Sequence, residues 1–335
     1  MAKYVKTEQG YIDITTNFAP PPFKPAGKSY LTFSSISSFT LAVKNRIKNW
    51  NGTLEYFTSD KTWATWDGTT TLSAVYNGSK YVLYLRGTGN TVITGGINTN
   101  YKWVLTGTDI ACVGNIENLL DYTTVESGAH PTMANYCYSS MFQGCTALTQ
   151  APLLPATTLA NYCYSGMFQG CTALTQAPSL PATTLANSCY FNMFLSCTAL
   201  TQAPSLPATT LANSCCETMF GNCTSLKLSS TQTDEYTQEY RITSSGNGIT
   251  ATTALNGMFA STGGTFTGTP EINTSYYLSS NNMVVRETEI ATLNGYVKAM
   301  IEASEYIIPS STAGSTKKFK ITVDDTGTIS ATEVT

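Results

Sequence analysis

Cysteine is the main stock of reactive side chains in this chain, ten in all, and eight of the ten recur at one period. Cys137, Cys163, Cys189 and Cys215 form one series and Cys145, Cys171, Cys197 and Cys223 a second, each stepping by 26 residues. Thiols could bind a metal, pair as disulfides or act as nucleophiles. A metal centre wants four convergent ligands at short spacings such as C-x2-C, and neither series has them. Thiols of a protein folded in a reducing cytosol stay free. Buried thiols packing between repeats are therefore expected, with pairing inside a repeat, such as Cys163 with Cys171, as the alternative. Cys112 and Cys216 fall outside both series and have no assigned role.

Other candidates for catalysis are sparse. His130, the single histidine, stands in a Gly-Ala-His-Pro turn at the mouth of the repeats. Without a partnered Ser, Cys or metal set, such a histidine is expected to cap a turn by hydrogen bonding. Glycoside hydrolysis needs two facing carboxylates, yet the 86 residues from Pro131 to Cys216 carry no charged side chain. Asp324 and Asp325 occupy a turn, where Asp suits the geometry, and lack the alternating acidic ligands of a calcium loop. No phosphate-cradling Gly-rich loop occurs. The expectation is a protein that is not an enzyme and carries no metal or cofactor. An uncharged array can still bind by shape, hydrogen bonds and aromatic contact. Tyr136, Tyr138, Tyr162, Tyr164 and Tyr190 recur beside the first cysteine series, and Tyr offers broad contact area at low entropic cost. They form the candidate ligand surface, with packing along the convex side as the alternative. Weak binding per repeat would be raised by avidity.

Repetition must position these residues. Met-Phe recurs at Met141/Phe142, Met167/Phe168, Met193/Phe194 and Met219/Phe220, and the sixteen residues LTQAPSLPATTLANSC are identical from Leu174 and from Leu200. A fixed period of roughly 20–50 residues marks stacked coils, each burying its apolar face only against its neighbours. Within a unit, Leu174, Ala177, Leu180 and Leu185 supply an extended apolar segment closed by Pro178 and Pro181, with Met167, Phe168 and Cys171 as the opposite wall. One strand and one helical or 3₁₀ turn per coil is the content of a leucine-rich repeat. After Leu226 a polar insertion, 227–250, breaks the period. A degenerate copy, LNGMFASTGG, then places Met258/Phe259 39 residues after Met219/Phe220, as a closing cap would.

The expected fold is mainly β: an immunoglobulin-like β-sandwich, then a leucine-rich-repeat solenoid, then a short helix and a C-terminal β-hairpin. Residues 1–27 read as an extended arm whose FAPPPFKPAG forbids helix, making a stiff spacer or a strap laid on a partner. Over 28–113, β-branched and aromatic runs are divided by turns at Asn51-Gly52, Asp67-Gly68 and Asn77-Gly78. Candidate strands are Tyr30–Phe33, Phe39–Val43, Leu54–Thr58, Thr70–Val75, Tyr81–Arg86, Thr91–Ile93 and Lys102–Leu105, enough for a sandwich. Trp50, Trp63, Trp66 and Trp103 would fill its core and rim, or else form an exposed aromatic platform. The solenoid spans 114–275. Residues 276–335 would anchor or oligomerise. There Ile290, Leu293, Val297 and Met300 follow a 3-4-3 spacing on a helix expected over Glu289–Tyr306, which could pack a homo-oligomer, such as a trimer in a fibre, or its own domain. The last segment alternates through Phe319, Ile321 and Val323 and returns through Ile329 and Ala331 as a hairpin.

Charged residues make up 12% of the chain, about half the roughly 25% usual in globular proteins, and the net charge is -3. Nucleic-acid binding needs clustered Lys and Arg. The one basic run, Lys317, Lys318 and Lys320, reads as a solvated strand face. No stretch approaches the roughly 18 apolar residues of a spanning helix, so no membrane insertion is expected. The N-terminal MAKYVKTEQGYIDITTNFAP shows no apolar h-region or cleavage site, so no secretory signal is readable. An adhesin-like array without a readable export signal fits a virion protein, made in the host cytoplasm and released by lysis.

The run Met167-Phe168-Gln169-Gly170-Cys171-Thr172-Ala173-Leu174, with Pro178 and Pro181 following, resembles the BspA-like leucine-rich repeat family over Pro131 to Leu226. Units of that family carry a hydrophobic-Phe-x-x-Cys-x-x-Leu core before a strand, and its members are typically surface adhesins. The flanking LEYFTSDKTWATWDGTTTLSA, YVLYLRGTGN and NIENLLDYTTVESGAHPTMANYC resemble proteins of gut Bacteroidales and their bacteriophages. The C-terminal EYIIPSSTAGSTKKFKITVDDTGTISATEV is similar to a phage virion fibre or head-fibre tail. The resemblance implies a phage structural protein, a fibre, head fibre or decoration protein, displaying the array for adhesion to host surface or mucus glycans. Its partners would be other virion proteins of capsid or tail and a host surface protein or glycan. The alternative is a bacterial cell-surface BspA-like adhesin.

Overall fold

The structure, a computed structural model, describes residues 4–7, 10–13, 23–27, 29–96, 101–245, 249–279, 306–309, 318–323 and 329–334. Two compact units divide the chain, Met1–Val284 and Val285–Thr335. The described residues are mainly β, with two short helices at Asn118–Glu126 and Ala251–Ala254.

In the first unit, the strand Tyr81–Thr88 is the axis of a seven-stranded sheet, paired antiparallel with Leu31–Ser35 on one side and Thr53–Phe57 on the other. Trp63–Thr65 continues beyond Thr53–Phe57, and Ile110–Val113 continues beyond Leu31–Ser35. A three-stranded sheet runs in the order Trp103–Thr106, Thr40–Val43, Leu72–Ser73. Alternation along a strand sends successive side chains to opposite faces. Leu83 and Leu85 accordingly join a core with Leu41, Val43 and Trp103, while Val82 and Tyr84 join a separate aromatic cluster with Phe57. The turn residues act through their side chains. Asp67 Oδ1 accepts from the Thr69 amide at 2.9 Å, and Asn77 Oδ1 accepts from Ser79 and Lys80 at 3.0 Å each. Residues Gly68 and Gly78 follow with φ of 77° and 103°.

Three expectations change here. Thr91–Ile93 is not a strand: the Ile93 amide leaves the sheets and donates to Cys137 O at 2.9 Å. Trp63–Thr65 and Ile110–Val113 are strands that the residue pattern did not single out. The described end of the proline-rich segment, from Phe23, is laid on the chain's own sheet, with Phe23 5.3 Å from the Phe57 ring and its carbonyl accepting from the Tyr84 hydroxyl at 3.1 Å. Of the tryptophans, Trp50, Trp66 and Trp103 are buried in a chain of ring contacts at 5.2 and 5.5 Å. Trp63 is half-buried under the Arg86 guanidinium, 4.2 Å from its ring centre.

From Ala129 the chain winds in coils of the 26-residue period. In place of a helical or 3₁₀ turn, each coil carries a run of consecutive β-turns. Positive φ recurs at every fourth residue, as at Tyr136, Ser140 and Gly144, and this breaks any helix. The arrangement satisfies the backbone completely along this run. Tyr138, Ser140, Phe142 and Gly144 donate to Cys163, Ser165, Met167 and Gln169 of the next coil at 2.7–2.9 Å, while Met141, Gln143 and Cys145 close turns within their own coil at 3.0–3.1 Å. The other edge is strand-like only in part. Leu148–Gln150 pairs parallel with Ile110–Val113, whereas later coils make isolated bridges at Gln176 to Gln202 and Thr184 to Thr210. Prolines such as Pro178 and Pro181 lack the N–H a continuous ladder needs.

Like residues stack on like. Phe142, Phe168, Phe194, Phe220 and Phe259 form a buried ring ladder with centroids 5.5–5.7 Å apart and planes within 14°. Offset ring stacking of this kind adds about 0.5–1.5 kcal/mol per pair beyond area burial. The second cysteine series ties each coil to the preceding one: the thiols of Cys171, Cys197 and Cys223 donate to the carbonyls of Phe142, Phe168 and Phe194 at 3.0–3.1 Å.

Both ends of the stack are covered. At the start, Ile93 and Thr94 amides, the Thr94 hydroxyl, the Trp103 amide and Lys102 Nζ donate to the carbonyls of Cys137, Ser139, Met141 and Gln143. At the finish, Tyr240 and Phe266 meet Phe259 edge-on at 5.7 and 6.5 Å. Tyr240 belongs to the insertion that breaks the period and Phe266 follows the closing coil, and the two regions together form a four-stranded sheet of Lys227–Ser229, Tyr236–Arg241, Gly263–Gly264 and Ser275–Ser279.

In the second unit, Tyr306–Pro309, Lys318–Val323 and Ile329–Val334 form a three-stranded antiparallel sheet. The expected hairpin is its second half. Tyr306 opens a strand and does not end a helix, because it pairs with Ile321. The helix positions Ile290, Leu293, Val297 and Met300 lie outside the described residues.

Candidate functional site

The five tyrosines divide by depth. Tyr138, Tyr164 and Tyr190 are 0%, 1% and 1% exposed, so they are packing residues and not ligand surface. Their rings stack at 5.6 and 6.2 Å. The hydroxyl of Tyr138 donates to Ile116 O at 3.2 Å, while that of Tyr164 is buried with no partner among the described residues. The physical reason is register: a residue two places further along the turn run points into the stack. Cys216 takes the fourth rung of this ladder, 26 residues after Tyr190, which gives the unassigned cysteine its place.

Tyr136 and Tyr162 are half-buried and stack face to face at 4.7 Å and 12°. Beside them runs an exposed asparagine ladder. The Oδ1 atoms of Asn135, Asn161 and Asn187 accept from the amides of Asn161, Asn187 and Asn213 at 3.1–3.2 Å. The result is an uncharged edge of amides, hydroxyls and two phenol rings. It can hydrogen-bond and stack.

All ten cysteines are buried, free thiols. Burial pushes the pKa values of eight of them up, to about 11 for Cys145 and about 12 for Cys163 and Cys197, while the hydrogen bond between the neighbouring Cys215 and Cys216 lowers the first and raises the second. A buried neutral thiol is a poor nucleophile. Cys112, the other cysteine outside the two series, is buried in the strand that pairs with the first coil and lies next to Cys145, extending the second series by one rung.

His130 does not cap a turn. Its Nδ1 lies 2.8 and 3.0 Å from the two carboxylate oxygens of Glu117. The Glu117 side chain is 2% exposed and that of His130 50% exposed, so the pair reaches from the interior to the surface. Glu117 is held by its place before the helix Asn118–Glu126, with its amide donating to Asn115 Oδ1 at 2.8 Å. The pair lines a cleft of about 300 Å³ together with Pro131, Thr132, Met133, Ala156, Thr157, Thr158 and Leu159.

No family model, curated protein or solved structure matches the chain. The site is therefore read from its own geometry. Among the described residues no group of three or more His, Cys, Asp or Glu converges as a metal site would require. Glu117 was not singled out from the sequence, and the signal that exists there concerns its partner His130. Shifting by one period aligns His130 with Ala156, Ala182 and Ala208, and a lone polar departure from a repeated buried alanine marks a place where the stack is interrupted.

Proposed function

We propose that this chain is a structural display protein of a bacteriophage particle, a fibre, head fibre or decoration protein, with its array turned toward host surface or mucus glycans. In this reading an immunoglobulin-like sandwich caps a BspA-like leucine-rich-repeat solenoid, and the C-terminal sheet belongs to the region that anchors or oligomerises. The observation that carries it is the stack itself. Identical rungs of buried Phe, Tyr and Cys support an outer edge of asparagines and paired tyrosines without a charged side chain from Pro131 to Cys216. Such a surface suits weak, repeated, salt-insensitive contact, with strength from several copies. Other virion proteins and a second copy of this chain are its proposed partners.

The test is electron microscopy of purified particles with this chain labelled, together with its recovery from washed host cells. Label at a fixed position on the particle supports the reading. Recovery from cell envelopes alone, with unlabelled particles, replaces it with the cell-surface adhesin.

A further inference from the structure

We propose that the cleft between the first two coils is a binding site for a single neutral sugar ring. The proposal rests on the adhesive reading above and gives it a ligand class and an address. Comparison of successive coils frames the place. In the third and fourth coils the segments Thr183–Leu185 and Thr209–Leu211 are zipped together, with the amides of Thr209 and Leu185 donating to Thr183 O and Thr210 O at 2.9 Å each. Among the described residues that pairing recurs neither between 157–159 and 183–185 nor between 131–133 and 157–159, and the residues of this last junction line the cleft. Where Ala156, Ala182 and Ala208 pack as buried alanines, His130 turns to Glu117 and presents its half-exposed ring to the opening.

The lining selects the ligand by elimination. Glu117 and His130 are the only charged or titratable groups of the lining, and each is the other's partner, so an anion or cation entering the cleft meets no free counter-charge. A wholly apolar guest would cover the imidazole and the hydroxyls of Thr132, Thr157 and Thr158 without pairing them. A neutral polyhydroxylated ring meets both demands. Its hydroxyls face the three threonines and His130 Nε2, the ring nitrogen that Glu117 leaves available, and its C–H face lies on Pro131, Met133 and Leu159. A volume of about 300 Å³ stands at the small end of the roughly 300–1,000 Å³ of ligand sites, enough for one ring and not for a chain. The mechanism is binding only, with Glu117 as a positioning residue that holds the imidazole.

The experiment titrates the full chain with galactose, fucose and N-acetylglucosamine, and with anionic sialic acid for comparison, reading the His130 ring and Met133 methyl signals by NMR. At least one neutral sugar is expected to shift both. Thr158→Val, which removes one hydroxyl at constant shape, and Leu159→Trp, which fills the cleft, are expected to weaken that binding about tenfold or more at unchanged melting temperature. If only Leu159→Trp fails to fold, Thr158→Val still decides. Silence of both signals with every neutral sugar overturns the proposal, as does preference for sialic acid. Glycan binding by the full chain that survives both substitutions overturns the cleft alone and leaves adhesion by the array standing.

Discussion

Trp103 meets Phe142 edge to face at 6.1 Å and 89°, and its amide donates to Met141 O at 2.7 Å just as the Phe142 amide donates to Met167 O at 2.9 Å. Its carbonyl also accepts the Cys145 thiol at 3.4 Å, as the Phe142 carbonyl accepts that of Cys171. A residue of the strand Trp103–Thr106 thus performs each task that a ladder phenylalanine performs one coil later. The array needs such a residue because its first coil would otherwise present unpaired carbonyls and an open ring face.

Trp103→Ala should cost about 3–5 kcal/mol, since it removes a fully buried ring and opens the first rung. Trp103→Phe should cost far less, because a smaller ring still closes the ladder. Urea unfolding of both variants checks this, and equal losses would show that the ring's capping contact contributes little.

Removal of one whole period, Thr175 to Leu200, joins Leu174 to Thr201 and should leave a folded protein with one rung fewer. Removal of half a period, 175–187, puts each coil's phenylalanine out of line and should abolish the cooperative melt. Circular dichroism melts with small-angle scattering distinguish a shorter folded stack from an unfolded chain.

Alkali should unfold the protein before it titrates the buried groups. Burial raises Cys163 from its ordinary 9.0 to about 12, and burial likewise raises Tyr138, Tyr164 and Tyr190. The folded chain keeps these protons after the unfolded chain has lost them, so stability is full below about pH 9 and falls as pH rises toward 12. Unfolding monitored from pH 7 to 12 should show declining midpoints from about pH 9. In the native protein at neutral pH a thiol reagent should label few of the ten cysteines, and complete labelling there would contradict their burial.

Ser196 holds φ at 63°, where the equivalent Gly144 and Gly170 hold 73° and 72°. A non-glycine residue there costs about 1–2 kcal/mol, against roughly 0.5–1 kcal/mol of extra chain entropy for glycine. Ser196→Gly should therefore stabilise by about 0.5 kcal/mol, measured as a small rise in melting temperature; a fall would mean that the serine side chain contributes contacts of its own.

Much of this was legible from spacing. Met-Phe and Cys at 26 residues placed the rungs, the displaced Met258/Phe259 placed the closing coil, and Asp67-Gly68 and Asn77-Gly78 placed turns. The tyrosines were harder, because Tyr136 and Tyr138 look alike in sequence. Their depth depends on a turn run whose positive φ at every fourth residue has no strict signature, the occupants being Tyr, Ser, Gly, Asn and Thr.

By itself the sequence determined what repeats, how often, and that the repeated surface is neutral, because those are properties of residue identity and period. Tertiary structure decided which side of each rung faces water, that Trp103 and Tyr240 close the ladder, and that Glu117 reaches His130 across 13 positions. Those relations join segments from outside the period, and no local spacing encodes a partner that only chain folding brings within 3.0 Å.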